Sequence, residues 1–350
     1  MAKGKKKLLP KDFEALLKTG DLNALKAVFD SSHVDAVGGY AKKTALAYNE
    51  CNDELARWLV AEGADIMATD KRGNTPLHSR ASNWQGRVDI LIELGADVNH
   101  GEGANGTPLH MIARHCNLDI ARALIDNGAN VNALNAAGLP PLAYALHQCS
   151  NNNIQGLVPL AKLLLEAGAH QTPDMKEFVT RIGTDFEFHR AGFNAESVDA
   201  VSDVLDELYT LFDVAPVPRR AMHDGVSPIK VVTGSWEERH QALWELLVPS
   251  SGAAQTVQGE VIRISGKIHR ELEGNGGVNW NSEFRKLSSA FLTHIRSGIP
   301  LPEDVLTEAD AVIKEINGRG GDPRKMGQWA VEWVALNPKP AKLSPPDYKI

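Results

Sequence analysis

Apolar residues recur along this chain at helical spacing, and the interruptions divide it into segments. Between Asp12 and Phe29 the apolar positions are Phe13, Leu16, Leu17, Leu22, Leu25, Val28 and Phe29, which predicts two short helices around Thr19-Gly20-Asp21. From Thr44 to Gly168 short helical patterns come in pairs separated by turn residues. Met175 to Ile182 and Glu196 to Phe212 predict two further helices, the second with Val198, Val201, Val204, Leu205, Leu208 and Leu211 on one stripe. Ala215 to Gly234 has no period, is rich in Pro and Gly, and reads as a linker.

Five helical patterns follow from Ser235. The first opens with the capping box Ser235-Trp236-Glu237-Glu238 and runs through Leu247. The second carries Val257, Val261, Ile264, Ile268 and Leu272 and stops at Gly274-Asn275-Gly276-Gly277; the third carries Trp280, Phe284, Leu287, Phe291 and Ile295. The fourth starts at Pro302 and buries Val305, Ala309, Val312 and Ile316; the fifth holds Met326, Trp329, Ala330 and Trp333. Tryptophans 236, 244, 280, 329 and 333 all fall here, as one compact helical core with large anchors requires.

The paired patterns repeat. Thr75-Pro76-Leu77-His78 recurs thirty-two residues on as Thr107-Pro108-Leu109-His110. In step with it run Gly63-Ala64-Asp65-Ile66, Gly95-Ala96-Asp97-Val98, Gly128-Ala129-Asn130-Val131 and the degraded Gly168-Ala169-His170. A fixed period of this length means stacked units that share a continuous core. Thr caps a helix, Pro occupies a first-turn position that needs no amide hydrogen, and Leu starts the buried stripe. The glycines follow the second helix of each pair, where a left-handed residue ends it without steric cost.

These residues resemble the ankyrin repeat, a β-turn finger plus two antiparallel helices in about 33 residues. The unit from Asn105 to Asn132 matches most fully. Thr44-Ala45-Leu46-Ala47 begins an earlier, shortened unit and Pro140-Pro141-Leu142-Ala143 a later one, giving four repeats behind a capping unit at Asp12 to Phe29. The resemblance implies that His78 and His110 tie neighbouring turns by hydrogen bonds and are structural. It also implies that the fingers and the concave helix face hold a protein partner. Candidate contact residues on the fingers are Lys71, Arg72, His100, Glu102, Asn105, Leu134 and Asn135. On the inner helices and their ends they are Asn83, Met111, Arg114 and His115, with Ser79, Ser82 and Ala143 also expected to be exposed. The fourth unit carries an insert, His147-Gln148-Cys149-Ser150-Asn151-Asn152-Asn153, read either as a tolerated surface insertion or as a binding loop that uses His147, Asn151 and Asn152. Trp244 to Trp280 resembles a small bacterial helical domain of unassigned function, which points to a bacterial source.

Composition narrows the function. The chain has 350 residues, 43% of them hydrophobic and 23% charged, ample for large cores. The formal net charge of −7 argues against nucleic-acid binding across the whole surface. Acidic residues concentrate between Thr172 and Gly234, where eleven face six basic ones. Lys3, Lys5, Lys6 and Lys7 read as a solvated tail. Cys51, Cys116 and Cys149 show no disulfide spacing, and no signal-peptide core or membrane-length apolar run is present, so a cytoplasmic location is expected.

Catalytic chemistry is not visible. Glu237-x-x-His240 has the spacing of one half of a di-iron carboxylate site, but that site needs two such motifs and two more glutamates. The glycine-rich loops at 101–106, 274–277 and 318–321 follow no predicted strand, so they read as helix stops and not as phosphate cradles. No metal or cofactor is expected. The organisation predicted is all-α: a flexible basic N-terminus (1–11), a cap and about four repeats (12–172), an acidic helical cap (173–214), a linker (215–234), a helical bundle (235–336) and an extended tail (337–350). The expected function is binding of another protein, most of all as a bacterial immunity or inhibitor protein that neutralises a toxin. A delivered effector, a scaffold, or an enzyme with its site near Glu260, His269 or Trp280 are the alternatives.

Overall fold

A computed structural model of the chain describes residues 5–101, 106–318 and 320–349. They form two compact units, Met1–Phe186 with Ala195–Val217 and Glu187–Asn194 with Pro218–Ile350.

The first unit opens with an unexpected small sheet. Strand β1 (Lys6–Leu8) pairs in parallel with β2 (Ser32–Gly38), which pairs antiparallel with β3 (Lys43–Thr44), Val37 opposite Thr44. Part of the segment expected to be a flexible tail is therefore a strand. The physical cause is its apolar end: Leu9 is buried and its amide donates to Val37 O at 3.0 Å, while Lys5 Nζ donates to Phe29 O at 2.8 Å. Helices α1 (Phe13–Thr19) and α2 (Leu22–Ser31) lie between these strands, with Asp21 capping α2 through the amides of Asn23 and Ala24.

The repeats follow as inner and outer rows. The inner row is a 3-10 turn (Ala45–Ala47), then α4 (Pro76–Ala81), α6 (Pro108–Met111) and α8 (Pro141–Gln148), each packed on the next. The outer row is α3 (Asp53–Ala61), α5 (Asp89–Glu93), α7 (Leu118–Asp126) and α9 (Ile154–Glu166). After the outer helices Gly63, Gly95, Gly128 and Gly168 all adopt φ between 85 and 93°, the left-handed stop anticipated from the period. Helix α11 (Ala195–Phe212) packs on α9 after the long α10 (Pro173–His189). The fourth repeat does not carry its extra residues as a long loop. They lengthen α8 to eight residues and α9 to thirteen, leaving only 149–153 between the helices.

Buried polar groups lock the rows together. Thr75 and Thr107 form capping boxes with His78 and His110. His78 Nε2 reaches Gly106 O of the next unit at 2.9 Å, and His110 Nε2 reaches Leu139 O at 3.1 Å. A carbonyl only accepts, so the proton sits on Nε2, and Nδ1 accepts the Thr75 or Thr107 amide. Gly106 must be glycine: its φ is 81°, and a Cβ there would meet His110 Nδ1 at 2.8 Å. Arg80 is fully buried and donates to three carbonyls, Leu46 at 2.9 Å, Cys51 at 3.0 Å and Arg87 at 3.0 Å.

The second unit is a bundle of α12 (Trp236–Leu247), α13 (Val257–His269), α14 (Ser282–Ile295), α15 (Glu303–Asn317) and α16 (Arg324–Leu336). Helix α13 is central, touching α12, α14 and α16, and its core neighbours include Phe291, Trp329 and Trp333. Residues 218–234 have no helix or strand, yet they are more than a spacer. Ile229 is buried with its amide on Pro338 O at 2.7 Å, and the Arg220 guanidinium donates to Trp244, Glu245 and Val248 carbonyls. The tail is extended and pinned: Leu343 N donates to Gln255 O at 3.1 Å, and Tyr348 is buried.

Candidate functional site

Two sets of exposed turns flank the inner helices of the first unit. Fingers precede each inner helix, and inter-helix turns follow it. The finger at Asp70–Asn74 is an Asx turn: Asp70 Oδ1 accepts the amides of Arg72 at 2.8 Å and Asn74 at 3.0 Å, which projects Lys71 and Arg72 into solvent. Lys71 Nζ lies 5.5 Å from the centroid of the Tyr40 ring, which is 89% exposed on the preceding finger. The last finger exposes Leu134 at 65%. Asn135 is not available to a partner: it is 8% exposed because its Oδ1 closes the turn, accepting Ala137 N at 2.9 Å and Leu139 N at 3.0 Å. His100 is half-buried, edge-on to His78 at 5.8 Å. Glu102, Asn105 and the Arg114 side chain lie outside the described residues.

On the inner helices Ser82 is exposed and Met111 half-buried. Ser79 and Ala143 are buried, contrary to expectation, because α4 and α8 are flanked by inner elements of neighbouring units. The inter-helix turns expose Asn83, His115 and Asn152, the last turn of α8 exposes His147, and Asn151 is half-buried with its Nδ2 on Asp185 O at 3.4 Å. His147 stands edge-on to Phe178 at 5.1 Å. The structure adds Trp84, 61% exposed and edge-on to His115 at 6.4 Å, held by Asn117 Nδ2 donating to its carbonyl at 2.7 Å. Its signal in the sequence is a large aromatic at a turn position outside the buried stripe.

A cleft of about 270 Å³ runs along the inner face of the first repeats, from finger residues Gly39 and Tyr40 past Tyr48 and Ser79 to Glu50 and Asn83 in the turns. Burial, and then the charge of Glu14, push the Tyr48 phenol above its ordinary range. Burial also pushes the Cys51 and Cys116 thiols to about 11 and Cys149 to about 12, so all three free thiols are protonated and packed at neutral pH.

In the second unit, His240 lines a cavity of about 160 Å³ with Trp236, Glu237, His269 and Arg324. Burial, then the His269 charge, lower His240 to about 4. Its Nε2 meets Ser265 Oγ at 2.8 Å, and that hydroxyl donates to Ile262 O, so the histidine donates and is not placed to deprotonate the serine. Glu260 is fully buried. Arg263 reaches it at 2.6 and 2.8 Å, Tyr348 Oη at 2.7 Å and Ala254 N at 2.8 Å. Burial raises its pKa, and these partners together outweigh burial and lower it. Among the described residues, no group of three or more His, Cys, Asp or Glu side chains could hold a metal ion, and no helix is long and apolar enough to cross a membrane.

Stacked helix pairs, projecting fingers and histidine ties between turns define a repeat scaffold of the protein-binding class. Residues 43–175 are ankyrin repeats: a family model described as ankyrin repeats in three copies matches 43–135 and 80–175. This part of the chain is a protein–protein interaction module. The chain is similar to Ankyrin repeat and SOCS box protein 9 of Homo sapiens, 39% identical over 93 residues, 26% of this chain and 28% of that protein. It is similar to Ankyrin repeat protein OPG189 of Variola virus, 29% identical over 146 residues, 41% of this chain and 24% of the other. It is also similar to Phosphocholine transferase AnkX of Legionella pneumophila, 29% identical over 175 residues, 47% of this chain and 18% of the other. The chain thus spans less than a third of the length of these relatives.

Proposed function

We propose that the repeats bind a partner protein across Tyr40, Lys71, Arg72, Trp84, His115 and Leu134, and that binding neutralises the partner, as an immunity or inhibitor protein does. The observation that carries the binding surface is the exposure of Trp84, Tyr40 and Leu134. Trp and Tyr side chains are the usual anchors of protein interfaces, and Leu134 adds exposed apolar area. The inhibitor reading draws support from charge. Asp203 and Asp206 are exposed on α11, and such a face speeds encounter with a basic partner such as a nuclease toxin.

The test is affinity capture from the source cells with the intact chain. One protein should be retained at about 1:1, its own activity should fall as this chain is added, and the Trp84→Ala/Leu134→Ala double variant should weaken capture by about tenfold or more. Undiminished capture by the double variant overturns this surface. A partner whose activity is unchanged on binding overturns neutralisation. Asp203→Lys with Asp206→Lys should slow association at low salt; an unchanged on-rate removes the electrostatic part.

A further inference from the structure

We propose that the cleft lined by Glu14, Tyr40, Tyr48 and Glu50 is a socket for an arginine side chain of the partner protein. The proposal rests on the protein-binding reading and names the chemistry that the first repeats recognise. Three observations converge on this cleft. Glu14 and Glu50 both line it, both are exposed, and neither makes an ion pair or hydrogen bond with a described residue. Tyr48 lines it too, only 8% exposed, and its hydroxyl makes no hydrogen bond with a described residue. That hydroxyl lies against the cleft wall: a Cβ built on Gly38 would stand 2.8 Å from it and one on Gly39 3.5 Å. Third, the Tyr40 ring at the cleft already holds one cation, Lys71, within the chain.

These groups select the occupant. The Tyr48 ring is held by the fold while its hydroxyl makes no hydrogen bond with a described residue, so the oxygen is free to accept from an entering N–H donor. An anion would face the two carboxylates, and an apolar side chain would strip water from them without compensation. Lys43 also lines the cleft and Lys71 stands at its Tyr40 edge, but among the described residues neither pairs with Glu14 or Glu50, so both carboxylates stay open to an entering cation. Arginine fits better than lysine. Its planar fork offers five donors that serve a carboxylate and a phenol oxygen at once, and its flat face stacks on an exposed tyrosine.

The test uses the full-length chain and an array of blocked octapeptides bearing one central arginine, compared with the same peptides bearing citrulline, which has the same shape and no charge. Arginine peptides should be retained about tenfold better than citrulline peptides, and Glu14→Gln with Glu50→Gln should bring the ratio close to one. Tyr48→Phe should cut arginine retention about threefold while leaving the thermal midpoint unchanged, because the hydroxyl makes no bond within the fold. Equal retention of arginine and citrulline peptides overturns the socket, as does an arginine preference that survives loss of both carboxylates. Partner capture that depends on Trp84 and Leu134, without arginine preference, rejects the socket and leaves the binding reading intact. A carboxylate-dependent arginine preference without any retained partner rejects the protein partner and keeps the socket as a site for a basic ligand.

Discussion

The two units bury polar groups by opposite strategies. In the repeats three buried polar side chains tie neighbours together: His78 and His110 bond the carbonyls of the following units, and Arg80 reaches back to Leu46 and Cys51 of the preceding one. The same device is used twice at the same spacing. In the bundle a buried ion pair sits at one point on α13, where Glu260 and Arg263 meet the tail through Tyr348. A solenoid is held by nearest-neighbour ties that can be copied unit by unit. A bundle has one centre, and a polar cluster there must be satisfied as a whole.

Breaking each centre should separate the two strategies. The largest effect is expected from Glu260→Ala, which leaves Arg263 buried and uncompensated; a loss of about 3–5 kcal/mol in urea unfolding of the bundle is expected, with the transition of the repeats unmoved. Coincident shifts of both transitions would contradict the division. Next comes Arg80→Met, which orphans three carbonyls and should cost about 3 kcal/mol. Hydrogen exchange should accelerate around Ala45–Ala47 and α4, more than in α9; uniform acceleration would show that the repeats unfold as one body.

Acid should weaken both units in the same direction. Burial holds His78 and His240 near 4, below the ordinary 6.5, so the unfolded chain binds more protons between those values. Stability is therefore intact above pH 6.5 and falls as pH drops towards 4, by up to about 3 kcal/mol for each histidine. Glu260, lowered by its partners, adds a loss in the same direction on further acidification. Thermal melts across that range should show a falling midpoint for both transitions, and a His78→Gln variant should flatten the curve of the repeats alone. The smallest effect is expected from Tyr348→Phe, about 1–2 kcal/mol, as Glu260 loses one of its hydrogen-bond donors. A measurable increase in proteolysis of the tail would sharpen the case that Tyr348 pins it.

Much of this was legible because repetition amplifies weak signals. One Thr-Pro-Leu-His is a short motif; two at a fixed interval, in step with four left-handed glycines, define helix starts, stops and stacking partners. The helices of the bundle were also readable, since their apolar stripes are long. What escaped lacks a period. The pairing of Lys6–Leu8 with Ser32–Gly38 is a non-local contact between short segments, and periodicity does not predict which strand a lone apolar pair will join. The exposure of fingers predicts Asn135 at the surface, while its side chain is consumed by the finger's own turn. Arg80 and Tyr48 were missed for a related reason: their roles depend on carbonyls and glycine walls brought from other units, which no local pattern encodes.

The most direct test of the account is hydrogen exchange of the intact chain, free and bound to its captured partner. Binding through the repeats predicts slowed exchange in the finger and turn segments around Tyr40, Lys71, Trp84, His115 and Leu134, with α13 to α16 unchanged. Protection confined to the bundle, with those turns exchanging as in the free chain, would contradict it.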